Sequence, residues 1–93
     1  MDDTLKKYLD DEGRVTRWPG QKHHRDKIII LDYLASKFAI GIEYSEHEVN
    51  VILKQHHTFD DWALLRRELF ERGDLNRDKA GKSYWRTPDT KLY

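Results

Sequence analysis

The sequence contains no cysteine, and this absence excludes disulfide bonds and thiolate metal sites. Its longest aliphatic run covers residues 28–31 and is far too short to cross a bilayer. The first 13 residues are acidic and lack the apolar core of a secretory signal. From these absences we expect a cytoplasmic protein that does not interact with membranes.

The sequence also lacks the motifs of common enzymes. It has no Gly-rich phosphate loop, no nucleophile elbow and no cysteine nucleophile. Its five histidines include no HxxxH pair, and adjacent histidines point apart, so we expect all five to face solvent. A chain of 93 residues forms one small domain with little room for a deep pocket. We therefore expect no catalysis, no metal ion and no cofactor.

The net charge is zero, but the charges are unevenly distributed along the chain. Residues 14–42 carry a net charge of +4 and residues 72–93 carry +3, whereas residues 1–13 carry −3 and residues 43–61 carry −4. A nucleic-acid-binding domain normally presents a basic face. Only the two basic segments can supply such a face here, and the acidic segment at 43–61 favours a protein partner instead.

Residues 44–75 have the pattern of two helices joined by a short turn, which predicts a helix-turn-helix unit. Ser45 and Glu48 form a capping box at the start of the first helix. The candidate N-cap of the second helix is Thr58 or Asp60. The second helix ends at Arg72 and Gly73, a cation and a residue that tolerates the left-handed conformation. Apolar residues at helical spacing predict one core that contains Leu34, Phe38, Ile52, Trp62, Leu65 and Leu69.

The N-terminal residues predict elements that pack against this unit. Residues 2–9 predict a short helix. Residues 14–18 alternate polar and apolar side chains before a Pro-Gly pair. This pattern fits a short strand, and it fits equally an extended arm that packs Val15 and Trp18 onto the core.

The remaining elements complete the order helix, strand, helix, helix, hairpin. Residues 21–38 predict the longest helix, and residues 42–44 predict a very short strand. The extended pieces at 75–77 and 83–86 flank a Gly-containing turn and predict a β-hairpin, with Trp85 facing inward.

This order predicts a mainly helical α+β fold, a winged helix-turn-helix with a C-terminal β-hairpin wing. Residues 1–20 form an N-terminal helix and extended arm packed on the core. Residues 21–86 form the winged-helix domain, and residues 87–93 form a loose tail.

Four stretches of the sequence resemble a bacterial family called domain of unknown function 2087. They are YLDDEGRVTRWPGQK at 8–22, LDYLASKF at 31–38, YSEHEVNVIL at 44–53 and LLRRELFERGDLNRDKAGKSYWR at 64–86. The resemblance covers almost the whole chain and implies a winged-helix-like fold. Family members occur alone or attached to helix-turn-helix regulators, which implies a role in transcription.

The second helix of the pair contains two arginines with different expected roles. Arg67 faces outward and is the candidate base or phosphate contact of this helix. Alternatively, it pairs with Glu71 one turn later. Arg66 falls inside the apolar arc, where a guanidinium needs a carboxylate or a free helix carbonyl as partner.

Two further groups of cations are candidate DNA contacts. The N-terminal group consists of Arg14, Arg17, Lys22 and Arg25. These cations can hold phosphates while Trp18 stacks on a base. Alternatively, Trp18 packs in the core and the cations only keep the segment soluble. The hairpin group consists of Arg77, Lys79, Lys82 and Arg86 around the hairpin turn. These cations can contact the DNA backbone or minor groove, or they simply form a charged hairpin tip. With Arg67, the two groups give nine candidate contacts: Arg14, Arg17, Lys22, Arg25, Arg67, Arg77, Lys79, Lys82 and Arg86.

We therefore expect a non-enzymatic winged-helix domain that binds double-stranded DNA in transcriptional regulation. The alternative is a protein–protein interaction module on the same scaffold. The oligomeric state and the target sequence are left open by the sequence.

Overall fold

In a computed structural model that describes residues 3–88, helices and a small antiparallel sheet surround one hydrophobic core. The strand order β1-β3-β2 leaves β1 and β2 at the two edges of the sheet. The predicted mainly helical α+β class is confirmed. The elements of this part of the chain are α1 (Asp3–Lys6), α2 (His24–Ala35), β1 (Glu43–Tyr44), α3 (Glu46–Gln55), α4 (Trp62–Arg72), β2 (Leu75–Arg77) and β3 (Tyr84–Arg86).

The first two helices are shorter than the predicted ranges 2–9 and 21–38. After α2, the amides of Lys37 and Phe38 bond to carbonyls three residues back, so the chain leaves the helix in a tighter turn. Residue 2, where the first predicted helix begins, lies outside the described residues. Residues 89–93, most of the predicted tail, also lie outside them.

The core is built from apolar side chains of α2, of the helix pair α3 and α4, and of the sheet. Leu34, Phe38, Leu65 and Leu69 are buried as predicted. Ile52 and Trp62 also belong to this core, as predicted, but they are only partly buried and pack against its edge. The Lys54 ammonium lies 4.1 Å from the Trp62 ring centroid, so a cation rather than the core covers one face of that ring. The buried apolar residues are Tyr8, Val15, Ile30, Leu31, Leu34, Ala35, Phe38, Val49, Leu53, Leu65, Leu69, Leu75 and Tyr84.

The caps of the helix pair are largely those that the sequence indicates. Ser45 and Glu48 form the predicted capping box at the start of α3. Gly73 ends α4 in the left-handed conformation, with φ 94°. The N-cap of α4 is Asp61, however, and neither Thr58 nor Asp60; its carboxylate accepts the amide of Leu64 at 3.2 Å.

The start of α4 shifts because the turn between the helices is organised around a buried histidine. The His57 side chain contacts the carbonyl of Leu53 through Nδ1 at 2.6 Å, and its Nε2 accepts the amide of Asp61 at 2.9 Å. Since Nε2 accepts, Nδ1 carries the proton and donates. The expectation that all five histidines face solvent was wrong for His57, which joins the end of α3 to the start of α4.

The N-terminal arm closes the same turn. Val15 is fully buried, its amide donates to the His56 carbonyl at 2.8 Å, and its carbonyl accepts the Thr58 amide at 2.9 Å. Single bridges join Val15 to Leu9 and to His57. Of the two alternatives for residues 14–18, the extended arm is therefore the one observed.

The hairpin of β2 and β3 packs with Tyr84 rather than Trp85 toward the core. Tyr84 pairs with Tyr44 of β1, and residues directly opposite each other share one face of the sheet. Tyr44 makes an edge contact with Phe38, with ring centroids 5.4 Å apart, so this face is the inner one. Trp85 lies on the other face and is half-buried, which contradicts its predicted inward position.

An ion-pair network fixes the end of α4. The Arg72 guanidinium contacts Asp32 of α2 at 2.8 Å and Asp74, just before β2, at 3.0 Å. Because it joins α4 to α2 and to the chain entering the hairpin, this network sets where α4 lies relative to the sheet. None of the helices between residues 3 and 88 combines the length and apolar composition that a bilayer crossing needs.

Candidate functional site

A cavity of about 420 Å³ lies between α4 and the hairpin. Three arginines and one glutamate line it, so its lining has a formal excess of two positive charges. It combines residues that the sequence assigns to separate elements. The lining residues are Ala63, Arg66, Arg67, Phe70, Glu71, Arg77 and Tyr84.

Arg66 is held in place by the first helix of the pair. Its side chain is half-buried, as predicted, and its guanidinium donates a short hydrogen bond to the side-chain oxygen of Asn50 on α3. The partner is thus a side-chain carbonyl group, neither a carboxylate nor a helix carbonyl as expected. The sequence placed Arg66 in the core and did not indicate that it also faces a cavity.

Arg67 and Arg77 approach this cavity from two different elements. Arg67 is exposed on α4, and the structure between residues 3 and 88 shows no ion pair between it and Glu71. Arg77 ends β2, and its guanidinium carbon lies 4.3 Å from the ring centroid of Phe70 on α4. The stacked ring orients the Arg77 guanidinium toward α4.

The hairpin tip presents Lys79 and Lys82 to solvent. Asp78 organises the tip, because its carboxylate accepts the backbone amides of Lys82 at 2.8 Å and Ser83 at 3.3 Å. These hydrogen bonds, led by that of Lys82, hold the pKa of Asp78 below its usual value. Arg86 lies apart from the tip: it is half-buried and donates to the Phe38 carbonyl at 3.2 Å.

The N-terminal candidates do not line this cavity. Arg14 is engaged with Asp10 at 2.9 Å and Glu12 at 2.8 Å, so nearby carboxylates neutralise its charge. Arg17 stacks on the Tyr8 ring at 4.8 Å and lines a different cavity together with Trp18.

The other two N-terminal candidates and Trp18 lie near the start of α2. Lys22 precedes α2 and Arg25 lies in its first turn, and both are exposed. Trp18 is half-buried against the core, with the Lys27 ammonium 5.9 Å from its ring. Its packing fits the structural alternative for this residue.

An apolar patch at the edge of the sheet was missed by the sequence interpretation. Ile40 and Ile42 are 56% and 48% exposed, and both line a shallow cavity with Trp85 beside β1. The signal was present, since Ile40 and Ile42 flank Gly41 where the predicted strand begins. Large exposed apolar side chains that cluster mark interaction surfaces.

The part of the chain that the structure describes contains no group of three or more His, Asp or Glu side chains able to hold a metal ion. A family described as "Uncharacterized protein conserved in bacteria (DUF2087)" matches residues 14–86. No curated protein and no solved structure matches the chain.

Proposed function

The chain belongs to DUF2087, a family of uncharacterised bacterial proteins, and we propose that it is a winged-helix domain that binds double-stranded DNA in transcriptional regulation. In this proposal α3 and α4 are the helix-turn-helix pair, α4 is the recognition helix and the hairpin of β2 and β3 is the wing. The order α2, β1, α3, α4, β2, β3 and the strand order β1-β3-β2 support this assignment.

The observation that carries the proposal is the convergence of cations from α4 and the hairpin. Arg66, Arg67 and Arg77 face one cavity, and Lys79 and Lys82 extend the basic surface to the hairpin tip. A recognition helix and an adjacent wing that both carry cations suit a DNA backbone, whose phosphates dominate affinity.

The acids near α4 weaken this attraction less than their number suggests. The Asp61 carboxylate caps α4, and Glu68 is half-buried in a cavity that faces α2. Glu71 remains on the lining of the arginine cavity. The cations of the hairpin must therefore supply much of the attraction, with Arg67 as the main contact from α4.

A titration with mixed-sequence duplex DNA tests the proposal. Fluorescence anisotropy is measured at about 50 mM salt, where nonspecific binding is favoured, and at higher concentrations. The double variant Lys79→Ala with Lys82→Ala is expected to bind more weakly. The slope of log K against log salt is expected to fall by about 0.9 for each interaction with a phosphate that the substitutions remove.

A charge-matched control is the double variant Lys6→Ala with Lys7→Ala, since both lysines are exposed and lie near α1, away from the hairpin. It is expected to bind almost like the wild type. If the wild type does not bind near 50 mM salt, or if both double variants lose the same affinity, the proposal is wrong.

A second candidate function is a protein–protein interaction module, which the exposed patch of Ile40 and Ile42 favours. The patch lies beside β1, an edge strand that can accept a further strand from a partner, and Glu43 borders it. For this function, Ile42→Lys is expected to abolish partner binding without affecting DNA affinity, as measured by pull-down and anisotropy in parallel.

A further inference from the structure

We propose that the cleft between α4 and the hairpin is a binding site for a phosphate group, held by Arg66, Arg67 and Arg77. For a phosphate of the DNA backbone the inference rests on the proposed function. For a phosphate on a small molecule it does not, because the cleft needs only the charge and geometry of its own side chains.

The size and charge of the cleft suit an anionic ligand. Its volume of about 420 Å³ lies within the range of small-molecule sites. Three arginines line it, and guanidinium is the side-chain group whose donor geometry best matches phosphate. An anion in the cleft would relieve repulsion among these three cations.

Arg66 is already oriented for such a ligand. Asn50 is its only hydrogen-bond partner among residues 3–88, and this bond uses one of its five donors. Because the side chain is half-buried, a bond from a remaining donor to an anion is weakened less by water than a bond at the surface. Arg66, held by Asn50, thus provides a donor in the lining of the cleft.

Arg77 supplies donors from the opposite wall. Its stacking on Phe70 uses the flat face of the guanidinium and leaves the N–H groups in the plane of that face available. Arg67 is the third arginine of the cleft. It is exposed on α4 and makes no ion pair with Glu71. The three arginines therefore approach one space from α4 and from β2.

The two other polar groups of the cleft have different roles. The Tyr84 hydroxyl already donates to Glu46 at 3.2 Å, so it is engaged within the protein. Glu71 also lines the cleft, and its negative charge opposes an anion there. Removal of this charge is therefore expected to tighten binding, an effect that general damage to the fold cannot produce.

Inorganic pyrophosphate is the probe for this site. The arginine Nε–Hε signals of the intact chain are followed by NMR at low salt while pyrophosphate is added. Saturable shifts are expected for Arg66, Arg67 and Arg77. Arg25, exposed on α2 and outside the cleft, is expected to stay unchanged. Shifts that do not saturate, or that are equal for Arg25, would overturn the inference.

Variants test the roles of the individual side chains. Arg77→Gln is expected to weaken pyrophosphate binding by about three- to tenfold, the value of one charge-assisted hydrogen bond that is partly exposed. Glu71→Gln is expected to strengthen binding. Lys6→Gln removes the same charge from α1 and should change affinity little. An Arg77→Gln effect equal to that of Lys6→Gln, or no gain from Glu71→Gln, would contradict the site.

Duplex DNA distinguishes the source of the phosphate. If pyrophosphate binds in the cleft and the duplex does not bind, the phosphate site stands, its ligand is a small phosphorylated molecule, and the DNA-binding function is wrong. If the duplex binds, Arg77→Gln and Lys6→Gln lose the same affinity for it, and pyrophosphate does not shift the three arginine signals, the DNA-binding function stands and the phosphate site is wrong.

Discussion

Replacement of Arg72 by methionine is expected to destabilise the domain more than the loss of any surface charge. Methionine keeps most of the apolar stem but removes the guanidinium that contacts Asp32 and Asp74. The side chain of Asp74 is 1% exposed, so water cannot replace the missing ion pair. Removal of one partner from a buried pair costs about 3–5 kcal/mol.

The two carboxylates of the network predict very different effects. The side chain of Asp32 is 31% exposed, and Arg72 keeps its contact with Asp74 when Asp32 is neutralised. Asp32→Asn is therefore expected to cost about 1 kcal/mol or less, the usual value of an exposed pair. In the double variant Arg72→Met with Asp74→Leu, both members of the buried pair are apolar, and part of the stability should return.

Urea denaturation at pH 7 measures these differences. Arg72→Met should lower the midpoint with an unchanged slope, and its melting temperature should fall by more than about 12 °C. If Arg72→Met costs no more than Asp32→Asn, the network does not fix the end of α4 and the reasoning is wrong.

Burial and hydrogen bonding give three further predictions. Leu69 is fully buried, so Leu69→Ala should cost about 2–5 kcal/mol in urea denaturation, and a cost below about 1 kcal/mol would contradict its place in the core. Arg66→Ala should lower the melting temperature more than Arg67→Ala, because Arg66 is half-buried and bonded to Asn50; equal, negligible shifts would show that Arg66 is simply solvated. The pKa of Asp78 lies below its usual 3.8, so its carboxylate stabilises the hairpin turn above that pH and loses this effect as the pH falls through the lowered value. The Lys82 amide signal should therefore titrate with a midpoint below 3.8, and a midpoint at or above 3.8 would refute the bond.

Local signals in the sequence were sufficient for much of the fold. The capping box of Ser45 and Glu48 and the left-handed Gly73 need only residues a few positions apart, and both are confirmed. The hairpin was predicted for the same reason, since Gly81 lies in the turn between its two short strands. Such features depend on nearby backbone groups rather than on the rest of the fold.

Errors arose where distant parts of the chain meet. The N-cap of α4 is Asp61 because the buried His57 organises the turn, and that turn is closed by Val15, more than 40 positions earlier in sequence. Alternation correctly separated Tyr84 from Trp85, but only the pairing of Tyr84 with Tyr44 decides which of them faces the core.

The candidate site was only partly accessible from the sequence for the same reason. Arg67 and Arg77 were identified separately as exposed cations, but their convergence requires the packing of the hairpin against α4. The role of Arg66 depends on Asn50, 16 positions earlier on another helix. The network of Arg72 and Asp32 spans 40 positions, and no local pattern indicates it.

The central claim is that α4 and the hairpin face DNA, and backbone amide shifts measured by NMR during titration with duplex DNA test it most directly. We predict that the largest shifts occur at Ala63, Arg67, Arg77, Lys79 and Lys82, and that residues 40–43 at the edge of the sheet are unaffected. No shifts at low salt, or shifts confined to residues 40–43, would contradict the claim.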